Sequence, residues 1–119
     1  MAKNLQVTPL GGLVGIGKNM TAYEYGRNLL IVDCGVMFPD NDMYGIDLIL
    51  PDFEYVIENE DILRGIFLTH GHMDHIGGLP FLLRELKAPV EIYGTALTLG
   101  LVKRQLDEKG LLDKAEFHV

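Results

Sequence analysis

A cluster of side chains that can bind metal ions lies in the middle of the chain. It consists of His70, His72, Asp74 and His75, and it holds three of the four histidines in the sequence. Imidazole nitrogen and carboxylate oxygen, with no thiolate close by, are ligands typical of Zn²⁺, Mn²⁺ or Fe. A polar turn whose histidines only cap a helix is the alternative. Four such residues beside an apolar run favour the metal site.

The spacing within this cluster indicates how many ions it could hold. His70 and His72 are two positions apart, so on extended backbone they point to the same side, and Gly71 between them adds no obstructing side chain. Asp74 and His75 are adjacent and diverge, so they do not easily serve one ion. The spacing therefore favours two ions, one on each pair. Two metals roughly 3.5–4 Å apart can share a water or a substrate oxygen, which suits hydrolysis.

The elements around the cluster are predicted to bring these side chains together. The apolar run at 65–68 predicts a short buried strand, and 76–86 predicts a helix with Pro80 in its first turn. The cluster is thus expected at a strand-to-helix turn. Further predicted strands cover residues 5–10, 20–25, 29–32, 90–93 and 115–119. Further predicted helices cover residues 53–62 and 95–109.

This order of elements predicts an α/β (α+β) fold in which helices pack on a mixed or antiparallel sheet. In the helix at 95–109, Leu97, Leu101 and Leu106 recur on one side, which is expected to face the core, with charged residues opposite. His118 stands alone in the last strand. It is expected to be an ordinary histidine with a partner and not a metal ligand.

Composition limits the classes of function. A chain of 119 residues has room for one domain at most, and no apolar run is long enough to span a membrane. The single cysteine, Cys34, cannot form an internal disulfide, which favours a reducing, cytoplasmic compartment. The net charge is −7, with 10 basic against 17 acidic residues. Because nucleic-acid backbones are held by Lys and Arg, most of any such surface is expected outside this sequence.

A glycine-rich segment at 12–19 nearly matches a nucleotide-binding P-loop. It reads Gly-x-x-x-x-Gly-Lys, but Asn19 stands where a Ser or Thr hydroxyl would hold Mg²⁺. A P-loop must also open a helix, whereas the residues that follow alternate like a strand. The segment is therefore interpreted as a tight link between strands, and nucleotide binding remains a distant alternative.

The pattern His-x-His-x-Asp-His after a buried strand resembles the signature of the metallo-β-lactamase fold hydrolases. The surrounding sequence is more specific and resembles the amino-terminal part of RNase J over nearly all of the chain. The motifs that carry this resemblance are Gly11-Gly12, Gly17-Lys18-Asn19-Met20, Val32-Asp33-Cys34-Gly35, Met37-Phe38-Pro39, Gly45-Ile46-Asp47 and Pro51-Asp52.

The resemblance implies that residues 1–119 are the first half of an αββα sandwich, in a longer enzyme that cuts RNA endonucleolytically and from its 5′ end. It implies two zinc ions, or manganese, with His70 and His72 on one ion and Asp74 and His75 on the other. Asp74 would also orient the attacking water or take its proton. The further ligands that the family needs are absent here, so this chain alone is expected to bind metal weakly and to have little nuclease activity.

The resemblance also assigns supporting roles. Asp33 would brace the metal loop, and backbone oxygens of Tyr44 and Ile46 would help to hold a calcium ion. RNA would bind through the full-length enzyme, as a homodimer, a homotetramer or a complex with a paralogue, in the cytoplasm and without a membrane. Val14-Gly15 stands where relatives usually carry Gly-Glu, so a role of that glutamate is not expected here.

Two other functions stay open. Another hydrolase of the same fold, such as a thioesterase or a lactonase, would share only the metal motif, and the flanking motifs argue against it. A non-catalytic partner subunit of RNase J is the second, and the intact set of metal-binding residues argues against that.

Overall fold

The computed structural model describes residues 4–11, 20–35, 53–69, 71 and 73–119, with only the backbone at 11, 73 and 74. Its strands are β1 (Gln6–Gly11), β2 (Met20–Tyr25), β3 (Asn28–Val32), β4 (Leu63–Phe67), β5 (Val90–Tyr93) and β6 (Ala115–His118). Its α-helices are α1 (Glu54–Glu58), α2 (Met73–Ile76), α3 (Leu79–Glu85) and α4 (Ala96–Glu108), with short 3₁₀ turns at Glu60–Ile62 and Leu112–Lys114.

The six strands form one mixed sheet in sequence order. Strands β1, β2 and β3 pair antiparallel, and β3 to β6 pair parallel. The hairpin between β2 and β3 turns at Gly26, whose φ of 61° suits a residue without a side chain. Because β3 to β6 run in the same direction, their carboxyl ends meet at one edge of the sheet, and the loop after β4 starts there. The predicted mixed sheet with helices packed on it is confirmed.

The hydrophobic core lies on one face of this sheet, under the helices. Alternate strand residues point into it, as the twofold period of a strand requires. The strands contribute mainly Met20, Ala22, Leu29, Ile31, Ile66 and Ile92. The helices contribute mainly Val56, Leu79, Leu82, Leu83, Leu99, Val102 and Leu106.

The opposite face of the sheet carries a row of side chains across its parallel strands. Val32, Phe67, Tyr93 and His118 are successive register partners. The rings of Phe67 and Tyr93 stack with centroids 4.7 Å apart, and those of Tyr93 and His118 with centroids 4.8 Å apart. We call this row the aromatic row. No helix of the described residues combines the length and apolar character needed to cross a bilayer.

The helix predicted at 76–86 begins later in the structure. It corresponds to α3, which starts at Leu79 because the chain turns at Gly77 and Gly78, and Ile76 belongs to the separate helix α2. Pro80 lies in the first turn of α3, as predicted.

The buried side of α4 was predicted wrongly in part. Leu106 is buried, but Leu97 and Leu101 are 77% and 43% exposed. The stripe that contacts the sheet is instead Leu99, Val102 and Leu106, with spacing i, i+3, i+7. Leucines occur around most of this helix, so the docking position against the sheet decides which of them are buried.

Candidate metal centre

Asp33 occupies the end of β3 and is turned towards the loop that follows β4. Its backbone N–H donates to the Phe67 carbonyl at 2.8 Å, which extends the pairing of β3 with β4 by one residue. Its φ of 64° is left-handed, a conformation that Asp tolerates better than most residues. The residue is 5% exposed. This backbone conformation ends the strand and turns the Asp33 carboxylate towards the loop after β4.

The Asp33 carboxylate contacts the one predicted metal-binding side chain that the structure describes. His75 Nδ1 lies 2.8 Å from Asp33 Oδ2, and both side chains are largely buried. A carboxylate accepts hydrogen bonds, so an ionised Asp33 places the ring proton on Nδ1 and leaves Nε2 as the ring atom able to bind a metal. Metal-binding histidines in proteins are usually oriented by a contact of this kind.

Two backbone hydrogen bonds dock α2 against the end of β3. The Cys34 N–H donates to the His75 carbonyl, and the Gly78 N–H donates to the Cys34 carbonyl, each at 2.7 Å. A side chain at Gly78 would not fit, because its Cβ would lie 2.8 Å from the Gly35 oxygen. Residues 33 and 34 therefore hold His75 through both its ring and its backbone.

Thr69 is a residue of this site that the sequence analysis missed. Its backbone N–H donates to Asp33 Oδ1 at 2.8 Å, and its hydroxyl donates to Asp33 Oδ2 at 2.7 Å. The hydroxyl oxygen also lies 3.3 Å from His75 Nδ1. The available signal was a hydroxyl residue at the end of a strand, directly before the histidine cluster.

The structure thus brings Asp33 and His75 together, and Thr69 with them. The other predicted site residues are not described there. His70 and His72 lie outside the described residues, as do the proposed calcium ligands Tyr44 and Ile46 and the glycine-rich segment 12–19. For Asp74 only the backbone is described, in α2. Their roles stay predictions.

Cys34 points into the core and takes no part in the chemistry of the site. Burial, and then the charge of Asp33, raise the pKa of its thiol far above the ordinary value. The thiolate, which is the reactive form, is therefore disfavoured. Cys34 is thus a small buried residue of the core.

Among the described residues, a second group of side chains could in principle contact a cation. Glu91, Glu116 and His118 have ligand atoms within 4.8 Å of one another on β5 and β6. His118 Nε2 lies 3.4 Å from Glu91 Oε1, and both side chains are nearly half exposed. His118 therefore has an acidic partner and an aromatic neighbour in Tyr93, as expected for an ordinary histidine.

Comparison with known proteins identifies the class. The model of the metallo-beta-lactamase superfamily matches residues 14–111, and the chain belongs to this superfamily. Membership implies a bound metal ion. The described part of the site fits such an ion, because Asp33 contacts Nδ1 of the largely buried His75, and Nε2 is then the ring nitrogen that could bind a metal.

Individual relatives indicate which members of the superfamily this chain resembles. The chain is 43% identical to ribonuclease J of Synechocystis sp. over 119 residues, a match that covers 96% of this chain and 18% of the relative. It is 41% identical to ribonuclease J 2 of Staphylococcus saprophyticus, over 98% of this chain and 20% of the relative. The resemblance to RNase J is confirmed, and the chain spans about a fifth of the length of these relatives.

Solved structures agree on the fold. The short form of human tRNase Z superposes with a TM-score of 0.59 at 22% identity, over 93% of this chain and 43% of that one. Unliganded yeast PDE1 superposes with a TM-score of 0.61 at 13% identity, over 99% of this chain and 51% of that one. At these identities the similarity concerns the fold alone, and it confirms the predicted fold class.

Proposed function

We propose that this chain is the amino-terminal part of a longer, metal-dependent ribonuclease of the RNase J type. The observation that carries the proposal is the largely buried hydrogen bond between Asp33 and His75 at the carboxyl edge of the parallel strands. It orients a histidine of the His-x-His-x-Asp-His pattern for metal binding, in a chain 41–43% identical to proteins named ribonuclease J.

In the proposed centre, His70 and His72 hold one ion and Asp74 and His75 hold the other. Zinc is the proposed metal, with manganese as the alternative. When bound, such ions would act as Lewis acids that polarise a phosphodiester and lower the pKa of a bound water. Asp74 orients that water or accepts its proton, while Asp33 keeps the proton of His75 on Nδ1. The complete enzyme would cut RNA internally and from the 5′ end.

The chain by itself is proposed to be nearly inactive. Four ligands divided between two ions leave each ion with fewer than the three protein ligands usual in catalytic zinc sites. The net charge of −7 also opposes binding to a polyanion. The complete protein would supply the missing ligands and the RNA surface, in the cytoplasm, as a homodimer, a homotetramer or a complex with a paralogue. A calcium ion on Tyr44 and Ile46 is a further, separate part of the proposal.

The test compares cleavage of 5′-monophosphorylated RNA by the complete protein and by its variants. We expect His75→Ala to abolish cleavage and Asp33→Asn to slow it about 10–100-fold, the usual cost of losing a group that orients a metal ligand. Asp61→Asn is the matched control, because Asp61 is exposed and pairs only loosely with Arg27, at 3.4 Å.

Three results would contradict the proposal. The first is a complete protein that cleaves thioester or lactone substrates and not RNA. The second is RNA cleavage that survives His75→Ala. The third is enzyme-like cleavage by the 119-residue chain alone, which would show that no further ligands are needed.

A further inference from the structure

We propose that Thr69 is a positioning residue of the metal centre, which acts through Asp33 to fix the tautomer of His75. The inference rests on the proposed function, since it concerns how a metal-binding histidine is prepared. It goes beyond that function by assigning a role to a residue that belongs to neither proposed ligand pair.

The contacts of Asp33 show what Thr69 contributes. One residue supplies two donors to the same carboxylate: the Thr69 backbone N–H binds Oδ1, and the Thr69 hydroxyl binds Oδ2. The second oxygen also receives His75 Nδ1. Both oxygens are thereby held, so the plane of the carboxylate cannot rotate without the loss of a hydrogen bond.

The shared oxygen also decides where the imidazole proton lies. The Thr69 hydroxyl is 3.3 Å from His75 Nδ1 but only 2.7 Å from Asp33 Oδ2. Its proton therefore goes to the carboxylate, and Nδ1 must be the second donor and not an acceptor. A neutral ring with its proton on Nδ1 has its free electron pair on Nε2, the form that binds a metal.

The backbone of the loop is held by other contacts. The Cys34 N–H donates to the His75 carbonyl and the Gly78 N–H donates to the Cys34 carbonyl, and neither bond involves the Thr69 side chain. Loss of the hydroxyl is therefore expected to loosen the carboxylate and the ring while α2 stays docked. This separates a positioning role from a purely structural one.

The experiment measures the imidazole nitrogens of His75 directly, by long-range ¹⁵N–¹H NMR of the metal-free chain labelled at histidine. The His75 signals are assigned by their loss in His75→Gln. Three variants are compared with the wild type: Thr69→Val, which removes the hydroxyl at similar volume; Thr69→Ser, which keeps it; and Thr8→Val, the same change on β1. A second readout is the Zn²⁺ affinity of each variant, from competition with a chromophoric chelator.

We expect the wild type, Thr69→Ser and Thr8→Val to show His75 protonated on Nδ1. Thr69→Val should show a mixture of the two tautomers and bind Zn²⁺ about 10-fold more weakly, at the lower end of the range for such orienting groups. A folded Thr69→Val that keeps the pure Nδ1–H tautomer would overturn the inference. If Thr69→Val does not fold, a mixture of tautomers in Thr69→Ser would overturn it equally.

These outcomes are separable from failure of the proposed function. Suppose that the wild-type chain has the Nδ1–H tautomer but binds no Zn²⁺, and that the complete protein has no nuclease activity. These results would contradict the proposal of a metal-dependent ribonuclease, but they would leave the role of Thr69 in orienting the ring intact.

Discussion

At the scale of single residues, the neighbours Asp33 and Cys34 at the end of β3 point in different directions and have different roles. Asp33 turns its carboxylate out of the strand to Thr69 and His75. Cys34 turns its thiol into the core, where it is fully buried, and uses its backbone to hold α2. The left-handed conformation of Asp33 lies at this change of direction.

The buried thiol leads to a prediction about alkaline pH. The folded state raises the pKa of Cys34 above its ordinary value of 9.0, with burial as the main cause. The protonated thiol therefore stabilises the fold fully below pH 9.0, and this contribution is lost as the pH rises above that value. Cys34→Ala should lower stability at neutral pH but weaken its decline at alkaline pH, as measured by urea unfolding at a series of pH values.

A matched change checks that this effect belongs to the thiol. The pKa of Tyr55 is also raised, first by its hydrogen bond to Glu24 and then by burial, so its contribution should be lost at still higher pH. Tyr55→Phe should leave the onset of the decline unchanged, since an ordinary tyrosine titrates only near pH 10.0. Parallel curves for wild type and Cys34→Ala would contradict the assignment.

At the scale of elements, the break between α2 and α3 is what places His75. The chain must pass close to the end of β3 at Gly78, where an added Cβ would lie 2.8 Å from the Gly35 oxygen and 3.1 Å from the Cys34 oxygen. Both neighbours are backbone atoms and cannot move aside easily. A continuous helix with a side chain at this position could not dock here.

Two glycine substitutions, one at this break and one on α4, are expected to have opposite effects on stability. Gly78→Ala should destabilise the chain by about 1–3 kcal/mol, the usual cost of forcing an extra group into a packed site. Gly100→Ala lies on the exposed side of α4 with no atom within 4 Å of the new Cβ, so it should stabilise the helix by about 1 kcal/mol. Thermal or urea unfolding of both variants gives the comparison. Equal effects at the two positions would refute the packing argument.

At the scale of the whole molecule, the sheet has helices on one face and the aromatic row on the other. Phe67 is 36% exposed within that row. The αββα sandwich that the resemblance implies would place a second layer over this face, and the chain spans only about a fifth of its ribonuclease J relatives. A chain without that layer would present the aromatic row to water.

We therefore expect the isolated chain to self-associate through the aromatic row as its concentration rises. Phe67→Thr keeps a residue suited to strands but removes the ring, and it should shift the association to higher concentration in sedimentation velocity. Leu97→Ser is the control, because Leu97 is 77% exposed on α4 and outside the row. A chain that stays monomeric throughout, or equal shifts in both variants, would contradict this expectation.

The sequence alone determined the local features: the types and spacing of the metal-binding residues, the periods of the strands and helices, and the mixed α/β class. Tertiary structure decided the contacts of Asp33 with Thr69 and His75, which lie 36 and 42 residues after it along the chain. It also decided which leucines of α4 are buried. Local sequence patterns determine which side chains can bind a metal or form a strand or helix. The register of β3 on β4 and the docking of the helices determine which side chains are in contact, because the distances between them depend on packing between segments that are remote along the chain.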